Sequence, residues 1–472
     1  MGDHRGDAAG GGSDASASIA KIEGIEGAEM GELFVDFQEK VNMRALRIGV
    51  VGMGYVGIPL AGLFAEAGFS VVGVDKTKEK VKLLKQGKVP IGGDEPGLGE
   101  LVKKWVNAGR LSFDASLEGL EGADAVFVCV DTPVDPSTNL PLDENLREAV
   151  QGIAGVIKDG AIVVIESTIA PGTMSGKVKG WIEEKGHKVG TSVGLAHCPE
   201  RVMPGALLER LRTMPRVCGV DSPQTGQAIK AIYKCIVRAP IHITSWMIAE
   251  VVKVCENAYR DLNIAFANEV AKLCEVMGVD FLEVQALVNQ SPGRQLLMAG
   301  LGVGGHCIPK DPWLLANAAP MDAPFRLIPV ARVVNDEMPL HALHLLEDAL
   351  KQAGKACEGA LIAILGYAYR EESDDERDSP SARLEGLLLA KGAVVRVHDP
   401  YIQRFHGSIE EVVRGVDGVV IAVAHRVYRS IDWSKVRQLV RTPVLLDTRF
   451  VIEPAELRKS GWIVRGIGRP RF

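Results

Sequence analysis

The stretch Gly52-Met53-Gly54-Tyr55-Val56-Gly57 limits what this chain can fold into more than any other. It follows the apolar run LRIGVVG from Leu46 and opens a helical stretch through Leu63 and Phe64, so the glycines occupy a strand-to-helix turn. There Gly52 permits the tight turn, Gly54 lets the backbone approach a pyrophosphate, and Gly57 lets helix and strand pack closely. The start of the helix adds unpaired N–H groups and a partial positive charge that suit phosphates. Tyr55 and Val56, between the glycines, count with them as cofactor contacts. The next apolar run, SVVGVD, ends in Asp75. A carboxylate there accepts from the adenosine ribose hydroxyls and repels a 2′-phosphate, so NAD is expected over NADP. Lys76 and Lys80 soften that preference.

The alternation continues with ADAVFVCV at 123–130, AIVVIEST at 161–168, SVGLAHCPE and PRVCGVD, which place the end of a parallel sheet near residue 221. Between about 222 and 340 helices take over, among them a long one from Trp246 to Met277. On it Val251, Cys255, Ala258 and Leu262 line one side, widened by Val252, Tyr259 and Phe266, while Lys253 and Asn257 point away. A second strand-helix-strand series starts near Ala360 with ALIAILGYAY and runs through VVRVHDP, GVVIAVA and VLLDT, without the glycine fingerprint. The expected architecture is α/β: a flexible tail over 1–45, a Rossmann domain over 46–221, a helical middle over 222–340 and a second Rossmann-like domain over 341–472. A short amphipathic helix fits residues 31–43.

Composition narrows the class. Apolar residues make up 47% and charged residues 24%, and 54 basic against 60 acidic residues leave a net charge of −6. Nucleic acid and anionic membranes are poor partners for such a surface, and no stretch is apolar enough to span a bilayer, so a cytoplasmic protein is expected. Eight cysteines are too dilute for a disulfide framework and lack zinc-like spacing, so no metal site is expected. Cys129, Cys218, Cys255 and Cys274 read as buried small hydrophobes.

Cys307 does not. It stands in LGVGGHCIPKDP, beside His306, Lys310 and Asp311, after three glycines that let a backbone come close to a ligand. Nearby cations favour a thiolate, yet the loop alone fits an inert cysteine equally well. Lys253 and Asn257, at i and i+4, share a helix face and can donate to a developing oxyanion; an ordinary solvated face is the competing reading. Glu200, in HCPERVMPG, can act through water as a general base, and Thr168, in ESTIAPGT, can order that water; loop capping explains both as well. Thr132-Pro133, after the VFVCV strand, lies where a hydroxyl can meet the nicotinamide half of the cofactor, or is a plain loop.

Taken in order, GMGYVG, Thr132-Pro133, ESTIAPGT, Pro199-Glu200, Lys253 with Asn257, GGHCIPKDP and DDERDSP resemble the UDP-glucose/GDP-mannose dehydrogenase family over roughly residues 46–470. The resemblance implies an NAD-binding domain, a central dimerisation region and a UDP-binding domain, hence a homodimer or dimer-based oligomer acting on a UDP-sugar. It implies that hydride leaves C6 to a first NAD, that Cys307 captures the aldehyde, that a second NAD oxidises the thiohemiacetal to a thioester, and that water releases the acid. Lys253 and Asn257 would then hold the C6 oxygen, Asp311 would handle a proton near the thiol, and Glu200 with Thr168 would manage the hydrolytic water. Lys80, Lys310 and Arg377 are implied cofactor contacts. Arg201, Val202, Arg260, Arg294, Gly304, Tyr369 and Arg370 are implied substrate contacts. One segment departs from the UDP-glucose pattern: after Pro199-Glu200 the chain reads RVMPG, with Pro204 where a second glutamate is usual. Together with CENAYRDLNIAFANE and GVGGHCIPKDPW this resembles the branch acting on UDP-N-acetylhexosamines, the N-acetylmannosamine enzymes most of all, with N-acetylglucosamine, N-acetylgalactosamine and glucose as alternatives.

Two other functions compete. A two-electron dehydrogenase of the hydroxyisobutyrate or phosphogluconate type shares the first domain but needs neither the thiol loop nor a second α/β domain. A sensor that binds NAD and a nucleotide sugar without turnover would not need competent residue types at every catalytic position.

Overall fold

A computed structural model describes residues 35–470 except Asp94, Met203 and Met321. The chain forms two compact units divided after Lys253, with residues 92–94 and 133–141 belonging to the second.

The first unit is built on eight strands: β1 (Arg47–Val51), β2 (Ser70–Val74), β3 (Leu111–Asp114), β4 (Ala125–Val128), β5 (Ile162–Ile165), β6 (Gly194–His197), β7 (Arg216–Val220) and β8 (Ile241–Ser245). Their order across the sheet is β3-β2-β1-β4-β5-β6-β7-β8. Strands buried on both faces read as unbroken apolar runs because helices cover both sides of a parallel sheet. Accordingly β4 and β5 are AVFV and IVVI, wholly buried. On one face Phe64, Phe127 and Tyr233 form a chain of rings with centroids 4.7 and 5.7 Å apart. Removing the Phe127 ring would cost about 3–5 kcal/mol.

Three expectations are corrected here. The sheet does not end near residue 221: the Pro223–Tyr233 helix leads on to β8. Nor is it parallel throughout, since β7 runs antiparallel to β6. The tail expected to be flexible as far as residue 45 is not so at its end: the short amphipathic helix expected over 31–43 is described over Val35–Met43, and its Phe37 and Val41 are buried in the core of this unit. Residues 1–34 of that tail lie outside the described residues.

The second unit carries a parallel sheet of β9 (Leu361–Leu365), β10 (Val394–His398), β11 (Gly418–Ile421), β12 (Val444–Asp447) and β13 (Ile463–Gly466), in the order β10-β9-β11-β12-β13. The Leu327–Gln352 helix packs on β12 and β13. The long helix runs from Trp246 to Met277, as its periodicity predicts. No helix among the described residues is long and apolar enough to cross a membrane.

The long helix corrects another expectation. Along its apolar stripe Tyr259 is 71% and Phe266 58% exposed and Val251 is exposed too, Val252 and Leu262 are half-buried, and Ala258 is buried. Cys255, on that stripe, is exposed, not buried. The inward face mixes small apolar residues, among them Val254, Ala265, Ala267 and Ala271, with the polar Glu250, Lys253, Asp261, Asn268 and Glu275, all buried. Glu250, Asp261, Asn268 and Glu275 meet partners from far along the chain. Asp261 binds Arg332 at 2.6 Å, Asn268 donates to Asn335 at 2.9 Å, and Glu275 takes His341 at 3.0 Å and the Gly468 N–H at 2.9 Å. Burial of such groups is tolerated only when they are paired in this way.

Candidate active site

In the first unit the strand order reverses between β1 and β4, and doubly wound sheets bind ligands at the carboxyl ends of the strands there. The Gly57–Glu66 helix starts directly after the turn. Gly52 has φ 92°, and a Cβ on it would lie 2.6 Å from the Cys129 carbonyl oxygen. A Cβ on Gly57 would lie 1.9 Å from the Gly52 carbonyl oxygen, so only glycine lets this helix meet the strand. Gly54 has open space where its Cβ would be, the room a pyrophosphate needs for close backbone approach.

A cavity of about 560 Å³ opens there, lined by Gly52, Gly54, Asp75, Lys80 and Asp131 among others. Asp75 accepts from the Met53 and Thr77 N–H groups and from the Lys80 ammonium, each at 2.9 Å. Burial alone would raise its pKa, but Lys80 and the two N–H groups outweigh burial and hold the carboxyl below its ordinary value. It is therefore ionised and aimed into the cavity, as a ribose acceptor must be. Lys80, expected as a cofactor contact, lines this cavity and pairs with Asp75 there. Thr132 donates to the Thr168 carbonyl at 2.6 Å, tying the loops after β4 and β5 together.

Glu200 lies just past β6 and is buried. Burial pushes its carboxyl up, against the pull of Arg216, Lys253 and the Val202 and Arg201 N–H groups. Arg201 reaches the Pro215 carbonyl at 2.7 Å. Lys253 is only 7% exposed, which removes the solvated-face reading. One turn before it, Glu250 accepts from the Gly172 and Met174 N–H groups at 2.8 and 2.7 Å and so fixes the loop that follows Thr168.

In the second unit the thiol loop is built against protein. A Cβ on Gly302 would lie 2.7 Å from the Asn335 carbonyl oxygen, and one on Gly304 would lie 2.6 Å from that of Asp378. Gly305, with φ 88°, faces the Tyr369 ring. The glycines expected to admit a ligand are thus required by the protein's own packing. They leave Cys307 exposed at the loop's tip. The Cys307 carbonyl accepts from the N–H groups of Lys310 at 3.1 Å and Asp311 at 2.8 Å, and Asp311 opens the Asp311–Ala316 helix. Asn257 donates to the buried Asp311 carboxylate at 2.6 Å, and the Lys310 ammonium lies 3.5 Å from it. Thiol loop and long helix are joined through that carboxylate.

Of the other expected contacts, Arg377 forms a fork on Asp375, with its Nη2 2.6 Å from Oδ2. Tyr369 and Arg370 follow β9 and are half-buried. Arg260 and Arg294 are exposed, the latter turned back on the Pro292 carbonyl at 2.8 Å.

Residues 46–237 match the NAD binding domain of the UDP-glucose/GDP-mannose dehydrogenase family, residues 247–337 its central domain and residues 363–454 its UDP binding domain. The chain belongs to this family. It is accordingly an NAD-dependent dehydrogenase of nucleotide sugars, with an NAD binding domain over residues 46–237 and a UDP binding domain over residues 363–454. A UDP-N-acetyl-D-mannosamine dehydrogenase of Pyrococcus horikoshii is 38% identical, over 90% of this chain and 99% of its own. A solved UDP-D-ManNAc dehydrogenase from the same organism superposes with a TM-score of 0.86 at 38% identity, covering 90% of this chain and 100% of that one. An NDP-N-acetyl-D-galactosaminuronic acid dehydrogenase from Methanosarcina mazei gives 0.80 at 35%, covering 92% and 98%.

For a member of this family the sequence reading leaves one cluster unexplained. Glu166, Arg216 and Tyr233, all buried, meet behind Glu200. Their signal is present in the sequence: a glutamate closing the otherwise apolar AIVVIE, and an arginine opening RVCGV.

Proposed function

We propose that this dehydrogenase oxidises the C6 hydroxymethyl of UDP-N-acetyl-D-mannosamine to a carboxylate, using two NAD and a covalent intermediate on Cys307. The observation that carries the reading is the Asn257–Asp311 bond, which fixes the exposed Cys307 loop to a helix whose buried Lys253 lies one turn from Asn257. The sugar is inferred from the relatives' names and from RVMPG after Glu200, where the UDP-glucose pattern carries a second glutamate.

Bound NAD supplies the acceptor for the hydride leaving C6, once per oxidation. Gly52, Gly54, Tyr55, Val56 and Gly57 cradle its pyrophosphate, Asp75 takes its ribose, and Thr132, Thr168, Lys310 and Arg377 contact the rest. The Cys307 thiolate adds to the C6 aldehyde, and Lys253 and Asn257 hold the resulting oxyanion. Asp311 takes part in proton handling beside the sulfur. Glu200 and Thr168 direct the water that cleaves the thioester and returns the thiol. The sum is RCH₂OH + 2 NAD⁺ + H₂O → RCOO⁻ + 2 NADH + 3 H⁺.

Val202, Arg201, Arg260, Arg294, Gly304, Tyr369 and Arg370 hold the nucleotide sugar. The exposed stripe of Tyr259, Phe266 and Leu273, seven residues apart, with Leu327, Val330 and Val333 on the second helix, supports a homodimer built on these helices. We place it in the cytoplasm.

The test is NADH released per sugar consumed, over a panel of UDP-ManNAc, UDP-GlcNAc, UDP-GalNAc and UDP-glucose. Two NADH per sugar, highest turnover with UDP-ManNAc, and loss of at least 10³-fold in Cys307→Ala are expected. One NADH per sugar, or an active Cys307→Ala variant, refutes the covalent route. A different best sugar refutes the substrate alone.

A further inference from the structure

We propose that Glu166, held by Arg216 and Tyr233, is a positioning residue for Glu200: it fixes the peptide that bears Glu200 and sets how much of the Arg216 charge Glu200 receives. This rests on the reading that Glu200 directs the hydrolytic water.

Glu166 follows β5 directly and is 1% exposed. Its carbonyl accepts from the Glu200 N–H at 3.3 Å, so the two peptides move together. Its carboxylate takes the Tyr233 hydroxyl on one oxygen and the Arg216 Nη1 at 3.4 Å on the other. The guanidinium also lies over the Tyr233 ring, 5.4 Å from its centroid. Arg216 is 2% exposed, and its Nε and Nη2 have no hydrogen-bond partner among the described residues.

A guanidinium stays charged in any protein, and burying it with idle donors is costly unless nearby carboxylates compensate. Two carboxylates feel it here, Glu166 by contact and Glu200 through space. Burial pushes Glu166 up to about 7, the Glu200 charge adds to that rise, and the one guanidinium acts on both carboxyls. Cys129, His197, Cys198, Cys218 and Lys253 complete the ionisable surroundings. When Glu166 is charged it claims Arg216. When it is neutral the guanidinium serves Glu200 alone, which then keeps its negative charge to lower pH.

The experiment measures kcat against pH with the best sugar of the panel above, together with KM, for Glu166→Gln, Tyr233→Phe and Glu200→Gln. In Glu166→Gln the acid limb should move down by about one pH unit while KM for the sugar stays within about twofold. Tyr233→Phe, which makes Glu166 easier to neutralise, should move it the same way by less. An acid limb that stays in place in a folded Glu166→Gln, even with reduced kcat, overturns the proposal. If Glu166→Gln does not fold, an unmoved limb in Tyr233→Phe overturns it equally. Should Glu200→Gln hydrolyse the thioester at the normal rate, the reading of Glu200 itself has failed.

Discussion

The two α/β halves share one turn and use it differently. In the first, β1 is followed by Gly52 with φ 92°, and Gly52 N–H bonds to the Val74 carbonyl at 2.8 Å. In the second, β9 is followed by Gly366 with φ 94°, and Gly366 N–H bonds to the His398 carbonyl at 2.8 Å. An aspartate follows the neighbouring strand in each. Asp75 caps the Met53 N–H; Asp399 caps the N–H groups of Tyr367, at 2.7 Å, and Ala368, at 3.0 Å. The halves diverge beyond the turn. Gly57 starts a helix at once, so helix N–H groups face an open crevice, whereas the next helix of the second half begins only at Pro380. Asp399 is fully buried and spends its remaining capacity on the Tyr401 and Ile402 N–H groups and on His425, 3.3 Å away. One aspartate remains available to a ligand, and the other has become internal structure.

That contrast can be broken most severely at Gly57. Gly57→Val puts a side chain where 1.9 Å separates Cβ from a backbone oxygen, which must displace the helix. NAD affinity, measured by calorimetry, should fall at least 100-fold, while the second half keeps its amide-exchange protection. Retained affinity would show that the helix start does not form the cofactor site.

The two aspartates give the next largest difference. Asp399→Ala strands His425 and four N–H groups and should destabilise the second half by about 3–5 kcal/mol, read by denaturant unfolding. Asp75→Ala should cost stability far less, and should cut kcat/KM for NAD by about 10- to 100-fold relative to NADP. Equal stability losses would mean that both carboxylates are structural.

Acid titration sharpens the comparison further. Burial raises the Asp399 carboxyl, but His425 and the backbone N–H groups prevail and hold it at about 2. Its folded value is depressed, so its stabilisation is complete above about pH 4 and fades as pH falls towards 2. In the first half, burial lifts Glu166 to about 7, which stabilises below about pH 4.5 and fades as pH rises to 7. His197, lowered by burial to about 4, acts oppositely and is lost as pH falls from about 6.5. Burial raises Glu200, Asp221 and Glu250 in the same half as well, so the comparison is between the native protein and Glu166→Gln by hydrogen exchange. The variant lacks the stabilisation that Glu166 adds at low pH, and on acidification from about pH 6.5 to 4.5 its stability should fall by about 1–3 kcal/mol relative to the native protein. Equal slopes would mean that Glu166 is an ordinary carboxyl.

Much of this architecture was legible in local pattern. The strand-turn-helix at Gly52–Gly57, Asp75 after the next strand, and the ends of the Trp246–Met277 helix follow from periodicity and turn chemistry. β7 was legible in PRVCGVD, but its antiparallel join to β6 and the further strand β8 were not, because the direction of a strand leaves no mark in a five-residue run. The orientation of the long helix misled for a clearer reason. Periodicity finds an amphipathic face and assumes that the apolar side is buried. Here Arg332, Asn335 and His341, some seventy residues on, satisfy the polar side instead. Pairings at that separation lie outside any local window, and so does the meeting of Glu166 with Arg216 and Tyr233.

The inward polar face of the long helix has a mechanical result. Asp261, Asn268 and Glu275 are spaced by seven, two turns apiece, and each engages a fixed partner, so the rod is keyed like a shaft in a slot. Adding a single residue between Asn257 and Asp261 would swing the Asn257 amide by about 100° about the axis, off Asp311 and away from the thiol loop, while leaving every tooth downstream engaged.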